Sequence, residues 1–279
     1  MARLFTQAEL DALCLPGEGR FFPALDSGDK AHAKAVYTDV EAAFREFHDI
    51  YHKWVATILE FVYERHGHEA MAKALPLEKM LAGALRMGMT LEEVLTVDTA
   101  PQQRMAALID VGDRAGAKKF FHEVEKACRD LHDFYRDWVT SLLSHVYREY
   151  GVDTLNQCLR YSSEKGWMPW MMEDMTHDVK TRLREWTRLL GVGNFATFSI
   201  TEDEEKFVIT QNPCGSCGRQ EQDGRYDPPW HLAVVKEKHP ITFTGGNVTA
   251  YRTHIAVMHT IMPIERIGAP WPVIQCPRT

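Results

Sequence analysis

The chain has 279 residues, 45% hydrophobic and 25% charged, with a formal net charge of −7 from 39 acidic and 32 basic side chains. That composition supports a sizeable buried core in about two domains and argues against disorder. It offers no basic footprint for DNA or RNA, and no segment reaches the roughly 18 consecutive apolar residues needed to span a bilayer.

The opening residues carry no long apolar run, and six cysteines are too sparse for a disulfide scaffold in a chain of this length. A cytoplasmic location is therefore expected. Thr6-Gln7-Ala8-Glu9 has the spacing of a capping box, which predicts a short helix from Thr6, with Pro16-Gly17 ending that unit. From about Lys30 to His66 the pattern is helical, with Gly67 as its stop, and a second helical run reaches about Gly88 with a break at Pro76. Thr90-Leu91-Glu92-Glu93 spells another helix start. Beyond Pro101 the helical period resumes and runs to Gly151, with a break near Gly112 or Gly116.

The chain repeats itself here. At an offset of 84 residues, segment 33–67 matches 117–151 at fifteen of thirty-five positions, and both copies contain His-Asp-x-Tyr-x-x-Trp-Val. A period present only twice predicts a duplicated helical hairpin rather than a solenoid, and such internal duplication makes a homodimer plausible. At 100° per residue Glu41, Arg45, His48, Tyr51, Val55, Leu59 and Val62 share one helical face, as do their equivalents Glu125, Arg129, His132, Tyr135, Val139, Leu143 and Val146. Two readings of the polar end stay open. One is a satisfied network of Glu-Arg pairs and His-Tyr hydrogen bonds; the other is a ligand pocket between helices, contacted by His48, Tyr51, His132 and Tyr135. His48 and His52 have metal-compatible spacing, but the second copy has Arg136 in place of His52.

Segment 152–165 continues as helix into Gly166–Met175, which is dense in tryptophan and methionine. It either lines a pocket through Trp167 and Trp170 or fills the seam to the next domain. A helix from about Glu173 to Leu190, stopped by Gly191, completes a helical region over 1–191. From 192 to 279 the character changes to a small α+β domain. Segments 195–201 and 206–211 read as a hairpin around the acidic turn 202–205, followed by the turn Cys214-Gly215-Ser216-Cys217. A short strand at 241–244, a helix over 249–262 and an edge strand over 270–277 follow. The expected fold is α+β: a mainly helical, duplicated bundle with a small C-terminal α+β domain.

Cys128 and Cys158 fall in helical patterns, where a free cysteine is a small buried hydrophobe. Cys214 and Cys217 instead share one turn, and His254, His259 and Cys276 lie on elements able to converge on it. Together these form a candidate set for zinc or iron. The competing reading makes Cys214 a nucleophile with His254 as base and Arg219 or turn amides holding an anion. A redox dithiol fits the spacing but lacks the βαβ frame of a thioredoxin-like motif, and thiols idle in a glycine-rich turn are the remaining reading.

Thr201–Phe207, Asn212–Arg219 and Met262–Pro270 carry motifs by which residues 195–277 resemble the L-2-amino-thiazoline-4-carboxylate hydrolase-like domains of bacteria. The resemblance implies a cytoplasmic domain whose cysteine acts on, or coordinates something acting on, a small carbon–nitrogen or carbon–sulfur compound. The chain departs from that pattern around His254, which is flanked by Thr253 and Ile255 where further cysteines are usual. The functional expectation is a small-molecule hydrolase or lyase with a Cys/His site. The alternative is a non-catalytic small-molecule or metal sensor that binds its ligand in the bundle.

Overall fold

The computed structural model describes residues 3–90, 100–228 and 230–275. Thr6 Oγ1 accepts from the Glu9 amide at 3.2 Å while the Glu9 carboxylate accepts from the Thr6 amide at 2.7 Å, so the capping box sets the start of α1 (Gln7–Leu13). A helix not foreseen from sequence, α2 (Gly17–Asp26), begins where the chain was expected only to turn, and it contains Pro23. Phe21, Ala24 and Leu25 are buried along it, and that packing outweighs the local cost of proline.

Two long helices dominate, α3 (Lys30–Ala74) and, after α4 (Leu77–Arg86) and α5 (Ala100–Val111), α6 (Arg114–Ser162). Each is interrupted once, at Gly67 (φ 81°, ψ −179°) and Gly151 (φ 82°, ψ 177°), the corresponding positions of the two sequence copies. This backbone region is essentially reserved for glycine. The break between α5 and α6 falls at Gly112, while Gly116 lies inside α6, where its amide is capped by Asp113 at 2.9 Å. The helix start expected at Thr90–Glu93 lies largely outside the described residues.

After a π-helical turn at Ser163–Trp167 come α7 (Met168–Asp174) and α8 (Val179–Arg188). The single helix expected from Glu173 to Leu190 is divided because Asp178 caps a new start, accepting from the amides of Lys180 (2.8 Å) and Thr181 (3.0 Å).

All described strands follow residue 191. β1 (Phe198–Glu202) and β2 (Phe207–Gln211) pair antiparallel, and Asp203 closes their turn by accepting from the amides of Glu205 and Lys206. After α9 (Cys217–Gln222), β3 (Val234–Val235) pairs antiparallel with β4 (Val248–Thr249). The strand expected at 241–244 is instead a 3₁₀ turn, Pro240–Thr242, capped reciprocally by His239 and Thr242. The helix expected over 249–262 starts later, as α10 (Thr253–Ala256), a π turn at Val257–Ile261 and α11 (Met262–Ile267). Residues 270–275 form no strand; prolines 270 and 272 lack amide donors, and the Trp271 amide bonds His259 O at 2.8 Å. The chain is thus α+β and mainly helical, and no described helix is long and apolar enough to cross a membrane.

Two compact units share the chain. The first gathers the residues up to Asp49, Gly83–Phe134 and Asp178–Arg219; the second gathers Ile50–Ala82, Tyr135–His177 and the chain from Gln220 onward. In the first, Phe21, Tyr37, Val40, Phe44, Phe121 and Val124 form one core, with the Phe21 and Phe121 rings stacked at 5.3 Å. Phe5, Leu10, Leu183, Phe198 and Ile200 form a smaller one. Each such side chain contributes about 1.5–3 kcal/mol on burial. The buried residues of the second unit include Val55, Ile58, Phe61 and Val62 of α3 and Val139, Leu142, Leu143 and Val146 of α6.

Candidate functional site

Within the first unit, β2 delivers the chain to Asn212-Pro213 and then to the Cys-x-x-Cys turn at the head of α9. The turn sits on Asn194, which follows the π turn Leu189–Gly193. A Cβ at Gly215 would stand 1.8 Å from Asn194 O, so only glycine permits this approach. Ser216 Oγ donates to Asn194 Oδ1 at 2.6 Å.

Arg219 fastens the other side. Its guanidinium donates to Asn194 O and Phe195 O, both at 3.2 Å, and also bonds Asp133 and His132 Nδ1. His132, which is buried, places Nε2 2.8 Å from Asn194 Oδ1. The tautomer with hydrogen on Nε2 satisfies both ends: Nε2–H donates to Asn194 while Nδ1 accepts from Arg219. Arg219 is thereby a clamp on the turn, and His132 is a member of its scaffold.

Held in this way, Cys214 is half-buried and Cys217 is 6% exposed. Cys214 Sγ accepts from the Cys217 thiol and from the amides of Ser216, Cys217 and Gly218. These donors outweigh burial and pull the Cys214 thiol down to about 6, with the Cys217 hydrogen bond the largest influence. Cys128 has burial without such donors and is pushed up to about 12, and the Cys158 thiol is pushed up by the same cause. Of Cys14, Cys128, Cys158 and Cys214, Cys214 is the one whose thiol is pulled down.

His254 and His259 belong to the second unit, where they lie among aromatic rings. Trp54 and Tyr251 meet His254 edge-on at 5.1 and 4.8 Å, and Trp167 meets His259 at 4.8 Å. Tyr251 also joins its hydroxyl to that of Tyr51 at 3.0 Å. Trp170 packs on Trp167 and Trp271, and the Trp271 indole donates to Asp174 at 3.1 Å. His254 Nδ1 bonds Tyr251 O and His259 Nδ1 bonds Trp271 O. Such carbonyl partners fix hydrogen on Nδ1 in the neutral ring and leave Nε2 as the basic nitrogen. Burial holds His254 down at about 4 and His259 at about 3.

The polar faces of the sequence repeat have diverged. In the first copy Glu41 pairs with Arg45 at 2.6 Å. In the second, Arg129 lies 5.2 Å over the Phe195 ring, and Glu125 joins Glu18 and His122 in a group whose ligand atoms all lie within 4.8 Å of one another. Burial raises the Glu125 carboxyl, and Glu18 adds to the rise. His48 is half-buried in the first unit. Tyr135 lies in the second, bonded to His52, and Arg136, at the position equivalent to His52, is fully buried between Asp137 and Asp223. Cys276 lies outside the described residues.

Asn194, Ser216 and Asp133 were not singled out from the sequence. His132-Asp133 stood in the repeated string, but nothing local marks Asn194 as their partner. Comparison with protein-family models, curated proteins and solved structures gives no match.

Proposed function

We propose that the protein is a thiol-dependent enzyme in which the Cys214 thiolate attacks an electrophilic carbon of a small molecule. The chemistry is that of a hydrolase or lyase at a carbon–nitrogen or carbon–sulfur bond, as the resemblance of residues 195–277 implies. One observation carries the reading: three backbone amides and the Cys217 thiol converge on Cys214 Sγ. In such a step a sulfur–carbon bond forms and the electron pair moves onto the substrate heteroatom. Cys217 S–H is a proton source beside the reacting sulfur.

The test offers full-length protein a panel of small amides, nitriles and thiazoline carboxylates and reads intact mass after acid quenching. An adduct on Cys214, absent from Cys214→Ala, is expected. No adduct from any compound, together with iodoacetamide alkylation of Cys214 that rises only in the ordinary thiol range, overturns the proposal.

A second reading, a non-catalytic metal sensor, draws on the Glu18–His122–Glu125 group, which offers one imidazole and two carboxylates to zinc or iron(II). Calorimetric titration with either metal should show saturable binding that is lost in His122→Ala. Heats indistinguishable between the two proteins would end this reading. The repeated helices also make a homodimer our expected assembly, which light scattering would test.

A further inference from the structure

We propose a further activity for the same turn: Cys214 and Cys217 form a dithiol that exchanges with small-molecule disulfides, Cys214 as the attacking sulfur and Cys217 as the resolving one. The inference rests on the thiolate reading above but assigns Cys217 a bond-forming role.

Three features of the first unit lead to it. The two sulfurs are unequal in access, one half-buried and the other 6% exposed, and both lie on the one turn anchored to Asn194, where the Cys217 side chain is the largest influence on the Cys214 thiol. A mixed disulfide formed at the accessible sulfur would therefore have its resolving partner alongside. Second, the turn is closely packed beside Cys214: a Cβ at residue 218 would lie 2.9 Å from Pro213 Cβ and 3.5 Å from Cys214 Cβ, so glycine lets the backbone after Cys217 fold back against Pro213 and Cys214 and holds the two cysteines on one tight turn.

Third, the imidazole of this network is committed. His132 has Nε2–H on Asn194 and Nδ1 accepting from Arg219, so it serves as scaffold rather than as a base for Cys214. Thiol–disulfide exchange needs no imidazole, because the attacker is already a thiolate and each departing sulfur is itself a base. The anchoring of Gly215 and Ser216 on Asn194 also fixes the two-residue spacer, which keeps Cys217 in place after Cys214 has reacted.

The step balances as follows. Cys214 S⁻ attacks one sulfur of R–S–S–R; the S–S bond breaks and RS⁻ departs. Cys217 S–H then attacks the Cys214 sulfur, its proton passing to the released RS⁻, and the second RS⁻ leaves as the Cys214–Cys217 bond forms. Two electrons pass from the protein dithiol to the small disulfide. The products are one protein disulfide, one RSH and one RS⁻.

Oxidised glutathione is the probe, applied to the full chain near neutral pH, with peptide mapping of the alkylated protein at successive times. In the wild type a Cys214–Cys217 disulfide should form, and dithiothreitol should reverse it. Cys217→Ser should instead stop at a glutathionyl adduct on Cys214 that persists at least about tenfold longer than in the wild type. A wild-type adduct as persistent as that of the variant overturns the inference, as does the absence of exchange. Parallel alkylation by iodoacetamide separates the two readings. Rapid alkylation without an intramolecular disulfide sinks the dithiol and leaves the nucleophile standing; slow alkylation of Cys214 sinks both. If Cys217→Ser does not fold, the wild-type mapping decides alone, through the disulfide or the stable adduct.

Discussion

The thiol of Cys214 in the first unit and the imidazoles of His254 and His259 in the second are all at least partly buried, yet their environments favour opposite charge states. Around Cys214 three amides and a thiol point at the sulfur, and the charged form is favoured. Around the histidines aromatic rings supply bulk but little charge stabilisation, each Nδ1 is occupied by a carbonyl, and the neutral form is favoured. Burial by itself raises a thiol and lowers an imidazole. What distinguishes the turn is the supply of donors, and that supply depends on how Gly215, Ser216 and Arg219 are fixed to Asn194 and α6.

The largest effect should come from removing that fixing. Gly215→Ala places a methyl group against Asn194 O and should cost about 2–4 kcal/mol in urea denaturation, while moving the alkylation midpoint of Cys214 toward the ordinary thiol range. Near-wild-type stability with an unmoved midpoint would show that the anchor is not what organises the donors. Next, the histidines give a pH dependence of definite sign. Their folded values lie below the ordinary imidazole value of 6.5, so the unfolded chain binds more protons between that value and about 3–4, and stability falls as pH drops through this window. The limiting slope is about 1.4 kcal/mol per pH unit for one fully suppressed imidazole. His259→Phe should flatten the wild-type slope of melting temperature against pH, and an unchanged slope would show that His259 is not held neutral.

Smaller effects sharpen the comparison on the thiol side. Cys217→Ala removes the strongest donor, and Cys214 alkylation at pH 6 should slow about tenfold for each unit its midpoint rises. Cys217→Ser retains an O–H donor and should fall between the two. Ser216→Ala removes one hydrogen bond to Asn194 and should cost about 1 kcal/mol, with the smallest change in the Cys214 midpoint, because the residue 216 amide remains. A midpoint shift as large as that of Cys217→Ala would assign the organising role to the serine hydroxyl.

What could be read from the sequence was what is local. Thr6 with Glu9, the acidic turn before β2 and the glycines at 67 and 151 each act over a few residues, and each forms as its residue types dictate. The segment 241–244 misleads because Ile241 and Phe243 suggest a strand, whereas His239, Pro240 and Thr242 are suited to a capped turn; the cap prevails. α2 was illegible for the opposite reason: Pro23 argues against a helix locally, and only the packing of Phe21 with Tyr37 and Phe121 favours one. At the site, the Cys-x-x-Cys spacing marked the turn that carries Cys214 and Cys217. Asn194 could not be found, because its importance lies in contacts with residues far along the chain, Ser216 and His132. The two Glu-x-x-x-Arg pairs look equivalent in sequence, but Arg129 lies over the Phe195 ring while still acting on Glu125, whereas Arg45 pairs directly with Glu41.

The interruptions of α3 and α6 carry a consequence of another kind. Apart from the adjoining residues and the helix's own nearby backbone, no atom lies within 4 Å of where an L side chain would begin at Gly67 or Gly151, yet the backbone at both is close to the mirror image of an extended L residue. The objection to alanine there is one of handedness and not of room. In a chemically synthesised chain, D-alanine would find its own backbone preference already met at either position.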